Sequence, residues 1–147
     1  MENRWAYFDT SVLVKRYLNE PGSTLARSLL RSHRFVSCVL EPLEAYSTLS
    51  RLKAAGELSE RNFGAILARV GTDRRQWQLV ELHAPILARA EEVAEQTQVR
   101  TLDALHVASA LVFQERSREV LPFVTADERQ RQAAQQMGLQ VIWVAAA

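Results

Sequence analysis

Five short apolar runs punctuate the chain, at Ala6–Phe8, Phe35–Cys38, Leu79–Leu82, Phe123–Thr125 and Val141–Val144. Runs this short, apolar at consecutive positions, suit strands buried on both faces, as in a parallel sheet. Helical segments fill the intervals. Ser11–Leu18 stops at Pro21-Gly22, and Ser23–Ser32 carries Leu25, Leu29 and Leu30 at helical spacing. Pro42–Ala55 ends at Gly56, a residue suited to the left-handed turn that closes helices. Ser59 caps a helix continued by Glu60–Val70, with Phe63, Ile66, Leu67 and Val70 as its apolar stripe. Pro85–Gln96 has proline in its first turn, Thr101 caps Leu102–Arg116, and Asp127 opens a last helix closed by Gly138. Gly71-Thr72-Asp73-Arg74-Arg75 reads as a polar connection. The order β-α-α-β-α-α-β-α-α-β-α-β predicts an α/β three-layer sandwich with a mostly parallel central sheet. No repeat or linker interrupts it, so the expectation is a single domain over residues 1–147.

Composition narrows the class. The chain is 48% hydrophobic and 24% charged, the balance of a globular protein rather than a disordered one. A net charge of +1 gives no strong overall field for nucleic acid, so any basic surface is a local patch. The lone cysteine, Cys38, has no partner for an internal disulfide, which fits a reducing compartment. The apolar run behind Met1-Glu2-Asn3-Arg4 is too short for a signal peptide core, and no stretch approaches the roughly 20 residues that span a bilayer. A cytoplasmic, non-membrane protein is expected.

The chemistry lies in four acidic residues placed at strand ends and helix starts. Asp9 ends the run Trp5-Ala6-Tyr7-Phe8 and precedes the capping pair Thr10-Ser11. Glu44 sits in the first turn of the helix opened by Pro42, Asp103 in the apolar stretch Leu102–Ala108, and Asp127 just after Phe123-Val124-Thr125. Ligands of open parallel sheets bind outside the carboxyl ends of the strands. That rule places Asp9, Asp127 and Glu44 near one edge. It leaves open which end of the sheet Asp103 approaches, because the helix of Asp103 follows another helix. Converging carboxylates repel, and a hard divalent cation is the usual remedy. Each acid in a first helical turn also has a plain reading, as partner to the helix dipole. Glu41, beside Pro42, reads as such a residue. His106 reads as a partly buried packing residue.

The spacing of these pieces resembles the PIN-domain ribonucleases, most closely the VapC-type toxins of toxin–antitoxin pairs. The matching segments are Phe8–Val14, Ser37–Arg51 with Glu44, Leu49 and Arg51, Thr101–Ala110, and Phe123–Asp127 leading into Ala133-Ala134 and Gly138-Leu139. They span the chain in the family's order. The resemblance implies an acidic site of Asp9, Glu44, Asp103 and Asp127, with Asp9 and Asp103 as principal metal ligands. Thr10, Ser11 and Thr125 are then supporting hydroxyls. It also implies that the Asp103 helix reaches the sheet edge, that Mg²⁺ or Mn²⁺ is the cofactor, and that the products carry a 5′-phosphate and a 3′-hydroxyl.

The expected reaction is metal-assisted hydrolysis of an RNA phosphodiester. A route through the RNA 2′-hydroxyl needs a general acid and base, and His33, His83 and His106 show no such arrangement. Arg51 and Arg100 are candidate phosphate contacts, extended by Lys53, Arg74 and Arg75. An aspartyl phosphatase of the haloacid-dehalogenase pattern would need a second aspartate where Ser11 stands. The remaining alternative is a non-toxin PIN module that binds RNA or protein without cleavage. As partners, the resemblance implies an antitoxin protein and a homodimer. For the dimer the residues add only the apolar surface of Leu49, Leu52, Phe63, Ile66 and Leu67, more than one small sheet need cover.

Overall fold

The computed structural model describes residues 4–145. Met1–Asn3, which entered the signal-peptide reading, lie outside the described residues. Five strands form one sheet: β1 (Arg4–Phe8), β2 (His33–Cys38), β3 (Gln78–Val80), β4 (Phe123–Thr125) and β5 (Val141–Trp143). Their spatial order is β3-β2-β1-β4-β5, and every pairing is parallel. Seven helices surround the sheet: α1 (Thr10–Tyr17), α2 (Ser23–Ser32), α3 (Glu41–Ala54), α4 (Glu60–Asp73), α5 (Ala84–Thr97), α6 (Thr101–Ser117) and α7 (Glu128–Gln136).

Alternation along the strands divides the core. Ala6 and Phe8 face one side with Val12, Leu13, Ala45, Leu49 and Ile66, whereas Tyr7 and Phe123 face the other with Ile86, Val93, Val107 and Leu111. Thus α1 to α4 cover one face and α5 to α7 the other, giving the expected three layers. Each large side chain fully buried in such a core contributes roughly 1.5–3 kcal/mol.

Chain order reverses around β1. The chain first steps to β2 and β3, then returns across β1 to β4 and β5. The carboxyl ends of β1 and β4 therefore lie side by side at the point where open α/β sheets hold their ligands. Tyr7 pairs with Phe123 and Phe8 with Val124, which sets Asp9 beside Thr125.

Several sequence expectations shift. Strand β3 stops at Val80 rather than Leu82, because β2 ends at Cys38, the residue opposite Val80. The polar segment Gly71–Arg75 is not a loop. Helix α4 runs to Asp73, and a 3₁₀ turn spans Arg74–Gln76. Asp73 is held there by the Arg16 guanidinium at 2.9 Å and the Tyr17 hydroxyl at 2.6 Å, which secures the last helical turn. Thr101 is the first residue of α6 and does not cap it; Arg100 occupies the cap position with no side-chain bond. The apolar residues invoked for a dimer are covered within the chain: Leu49, Phe63 and Ile66 are buried, and Leu52 and Leu67 half-buried. Among the described residues, no helix is long and apolar enough to cross a membrane.

Candidate active site

Asp9 is fully buried at the carboxyl end of β1. Its backbone N–H donates to the Val124 carbonyl at 3.3 Å, tying it to β4. Rather than the following Thr10-Ser11, it is Asp9 that caps α1, with Oδ1 accepting from the Val12 N–H. The same oxygen accepts from Ser11 Oγ at 2.6 Å, and Oδ2 accepts from Thr125 Oγ1. Ser11 Oγ in turn accepts from the Ala126 N–H at 2.9 Å, so the ends of β1 and β4 are locked through one carboxylate. Burial pushes the Asp9 carboxyl up to about 6, and the Ser11 and Thr125 bonds hold it from rising further.

Glu41 and Glu44 occupy the first turn of α3, three residues apart on one face. Glu41 was expected to serve the helix dipole; instead it is fully buried. Its Oε2 accepts from Thr10 Oγ1 at 2.8 Å and lies 3.4 Å from Ser37 Oγ, while its Oε1 has no partner. Burial first, then the fields of Glu44 and Asp9, hold its carboxyl well above the ordinary range. Thr10 thus supports Glu41, whereas Ser11 and Thr125 support Asp9.

His106, on α6, joins the acids. It is 1% exposed, with Nδ1 at 2.7 Å from the Tyr7 hydroxyl and Nε2 at 2.6 Å from Glu44 Oε1. Glu41 Oε2 lies 4.0 Å from the same nitrogen. Burial opposes a charge on the ring. The Glu44 bond and the fields of Glu41, Glu44 and Asp9 outweigh it, lifting the imidazole to about 9. The expected packing role is therefore corrected. His106 is a fully buried imidazole hydrogen-bonded on both nitrogens, and Glu44 and Glu41 favour its charged form.

Asp103 and Asp127 meet on the other flank. Asp103 is half-buried in the first turn of α6, and its Oδ1 accepts from Gln130 Nε2 at 3.0 Å. Its carboxyl is raised by burial and by the field of Asp127, against Gln130, His106 and Arg129. Asp127 caps α7, with Oδ1 accepting from the N–H groups of Arg129 at 2.9 Å and Gln130 at 3.2 Å. Its own N–H donates to Thr125 Oγ1 at 3.0 Å. One helix start therefore aligns both acids. Gln130, which no sequence motif singled out, is buried, and its Oε1 has no partner.

The basic candidates divide. Arg51 is exposed and bonds the Ser47 and Thr48 hydroxyls of its own helix, lining a cavity of about 280 Å³ with Glu44 and Leu102. Lys53 lies over the Phe63 ring. Arg74 and Arg75 precede β3 and so belong to the amino-terminal edge of the sheet, away from the acids. Arg100 borders a separate cavity beside the start of α6.

The donor set suits a hard divalent cation. Donor atoms of Glu41, Glu44 and His106 lie within 4.8 Å of one another. Both nitrogens of His106 are already bonded, so the ring serves as partner to a carboxylate rather than as a ligand. The oxygens remain, and the buried, unpartnered Glu41 Oε1 fits a cation better than any neutral neighbour.

The PIN domain family profile matches residues 6–136. The chain belongs to the PIN domain family. Among curated relatives, Ribonuclease VapC46 of Mycobacterium tuberculosis is 31% identical over 137 residues, covering 92% of this chain and 95% of that protein. Ribonuclease VapC47 of the same species is 29% identical over 141 residues, covering 90% and 91% respectively. Among solved structures, FitAcB from Neisseria gonorrhoeae superposes with a TM-score of 0.67 at 14% identity, over 93% of this chain and 96% of that one. A toxin–antitoxin complex from Klebsiella pneumoniae gives 0.62 at 13% identity, over 97% and 99%. These structural likenesses show a shared fold over nearly the whole chain.

Proposed function

We propose that this PIN domain is a metal-dependent endoribonuclease, the toxin of a VapBC-type pair. The observation that carries the reading is the cluster of Glu41, Glu44 and buried His106 at the carboxyl edge of the sheet, with Asp9 acting on His106 and Asp103 in the fields of His106 and Asp127. The ribonuclease names of the two curated relatives support it. Asp9 and Asp103 would be the principal ligands of Mg²⁺ or Mn²⁺, with Glu44 and Asp127 completing the acidic site. A divalent cation held by these carboxylates would supply positive charge at the scissile phosphate and lower the pKa of the attacking water.

The protein's own groups prepare that site. Ser11, Val12 and Thr125 fix both oxygens of Asp9. Gln130 orients Asp103, and His106, held by Tyr7, orients Glu44 while offsetting the repulsion among the acids. A 2′-hydroxyl route is disfavoured, because His106 is buried with both nitrogens committed and cannot reach RNA as an acid or base.

The cluster also makes a negative pocket that suits an inhibitor bearing an arginine, which pairs bidentately with carboxylate. An antitoxin segment that orders on binding is the partner of that chemistry. Exposed Leu43, Tyr46 and Leu102 offer an apolar surface for a homodimer, which light scattering at micromolar concentration checks. A buried free Cys38 fits the cytoplasm.

The test is cleavage of a structured RNA pool by wild type, Asp9→Asn and Asp103→Asn with Mg²⁺, Mn²⁺ or EDTA. Cleavage that needs metal and both aspartates is expected. Cleavage surviving EDTA or both substitutions overturns the mechanism, and binding without cleavage supports the non-cleaving alternative.

A further inference from the structure

Beside the acids lies a cavity of opposite character. About 300 Å³ opens where the end of α5, the start of α6 and α7 meet, at the small end of ligand-site volumes. Arg100 and Arg129 both line it, and no carboxylate does. Among the described residues, neither guanidinium forms an ion pair or side-chain hydrogen bond; exposed Arg61 and Arg118 share that property, and what sets this pair apart is the one cavity both line. The lining glutamines are already committed. Gln98 donates to the Glu95 carbonyl, Gln132 to Glu128 and Gln136 to the Gln96 carbonyl. The two arginines are thus the charged donors of the cavity.

Two like charges facing one cavity repel unless an anion lies between them. Arginine presents a planar fork that matches phosphate oxygens. The 17-residue helix α6 also starts at Arg100 with no side-chain cap, which adds the positive end of its dipole. The position relative to the acids is specific. Arg100 lies one turn before Asp103, and Arg129 follows the α7 cap Asp127 by two residues, with a charge that acts on Asp103.

We propose that Arg100 and Arg129 form a phosphate subsite, which holds a backbone phosphate of the RNA strand neighbouring the scissile linkage. The proposal rests on the nuclease reading and gives the substrate a register across the Asp103–Asp127 flank. Holding the next phosphate would place the scissile one over the acids without reading base identity.

The test measures binding apart from cleavage. In the Asp9→Asn background with EDTA, a 12-nucleotide single-stranded RNA is titrated by fluorescence anisotropy across a salt series. A parallel set of RNAs carries one uncharged methylphosphonate at each linkage in turn. The double variant R100A/R129A should bind at least about ten-fold more weakly and lose about 0.7 from the magnitude of the salt slope, one single-strand phosphate contact. One neutral linkage should weaken binding to the parent but not to the double variant. The charge-preserving R100K/R129K should keep most of the salt slope, which separates charge from folding. Unchanged affinity and slope in the alanine variant, or identical methylphosphonate profiles in both proteins, overturn the subsite. Wild type that binds with the predicted profile yet never cleaves RNA overturns the nuclease reading and leaves the subsite standing.

Discussion

Replacing Asp9 with Asn tests the electrostatic core of the site through stability as well as activity. Asp9 is fully buried, and its carboxyl moves from the ordinary 3.8 to about 6. At neutral pH it is ionised in both folded and unfolded chains, so this displacement is a cost to folding of about 3 kcal/mol. Asparagine removes that cost and keeps an oxygen for Ser11 and the Val12 N–H. It offers an N–H₂ where Thr125 now donates, so that bond must reverse or break, at a cost of about 1 kcal/mol. The net expectation in EDTA is a gain of about 1–2 kcal/mol, read as a higher urea midpoint at unchanged slope. With millimolar Mg²⁺ the order should invert, because ligand binding stabilises only the chain that holds the ion. RNA cleavage should vanish throughout. A variant less stable than wild type in EDTA, or one that gains as much from Mg²⁺, would refute the reasoning.

Three further outcomes follow from the same geometry. The folded-state pKa of His106 lies above its ordinary 6.5, at about 9. Its contribution is therefore fully present below pH 6.5 and lost as pH rises through 9. Metal-free protein should lose up to about 3 kcal/mol across that window, and His106→Gln should flatten the profile; a midpoint that is constant or rising in wild type contradicts this. Gln130→Leu removes the N–H donor to Asp103 and should weaken Mn²⁺ binding about ten-fold by calorimetry, as second-layer partners of metal ligands do; unchanged affinity would remove Gln130 from the site. Gly22 has φ +89°, and a Cβ there would lie 2.8 Å from the Ala145 carbonyl and 3.0 Å from Val144 Cγ1. Gly22→Ala should cost about 2 kcal/mol or more, and a thermal melt unchanged within error would show that the 20–23 turn yields freely.

The apolar runs and their punctuation were enough to order the twelve elements and to place Asp9 and Asp127, because a residue directly after a buried strand has only one edge of the sheet to occupy. Both acids lie there, and Asp127 caps the last helix as read. A residue on a helix is different, since its neighbours depend on which way the helix is laid down. Glu41 and Glu44 share one first turn and one local pattern, yet Glu41 is buried against Thr10 while Glu44 stays partly exposed. His106 looks like one apolar-face residue among many until the fold brings Glu44, in the first turn of α3, to 2.6 Å. The same holds for apolar surplus: Leu49 and Ile66 carry no mark that says whether a partner or the chain's own α1 covers them, nor Phe63 that Tyr46 does. Local periodicity determines which residues must be hidden and where the chain turns. Only tertiary packing decides what they are hidden against, because that choice is made by residues as far apart as Tyr7 and His106.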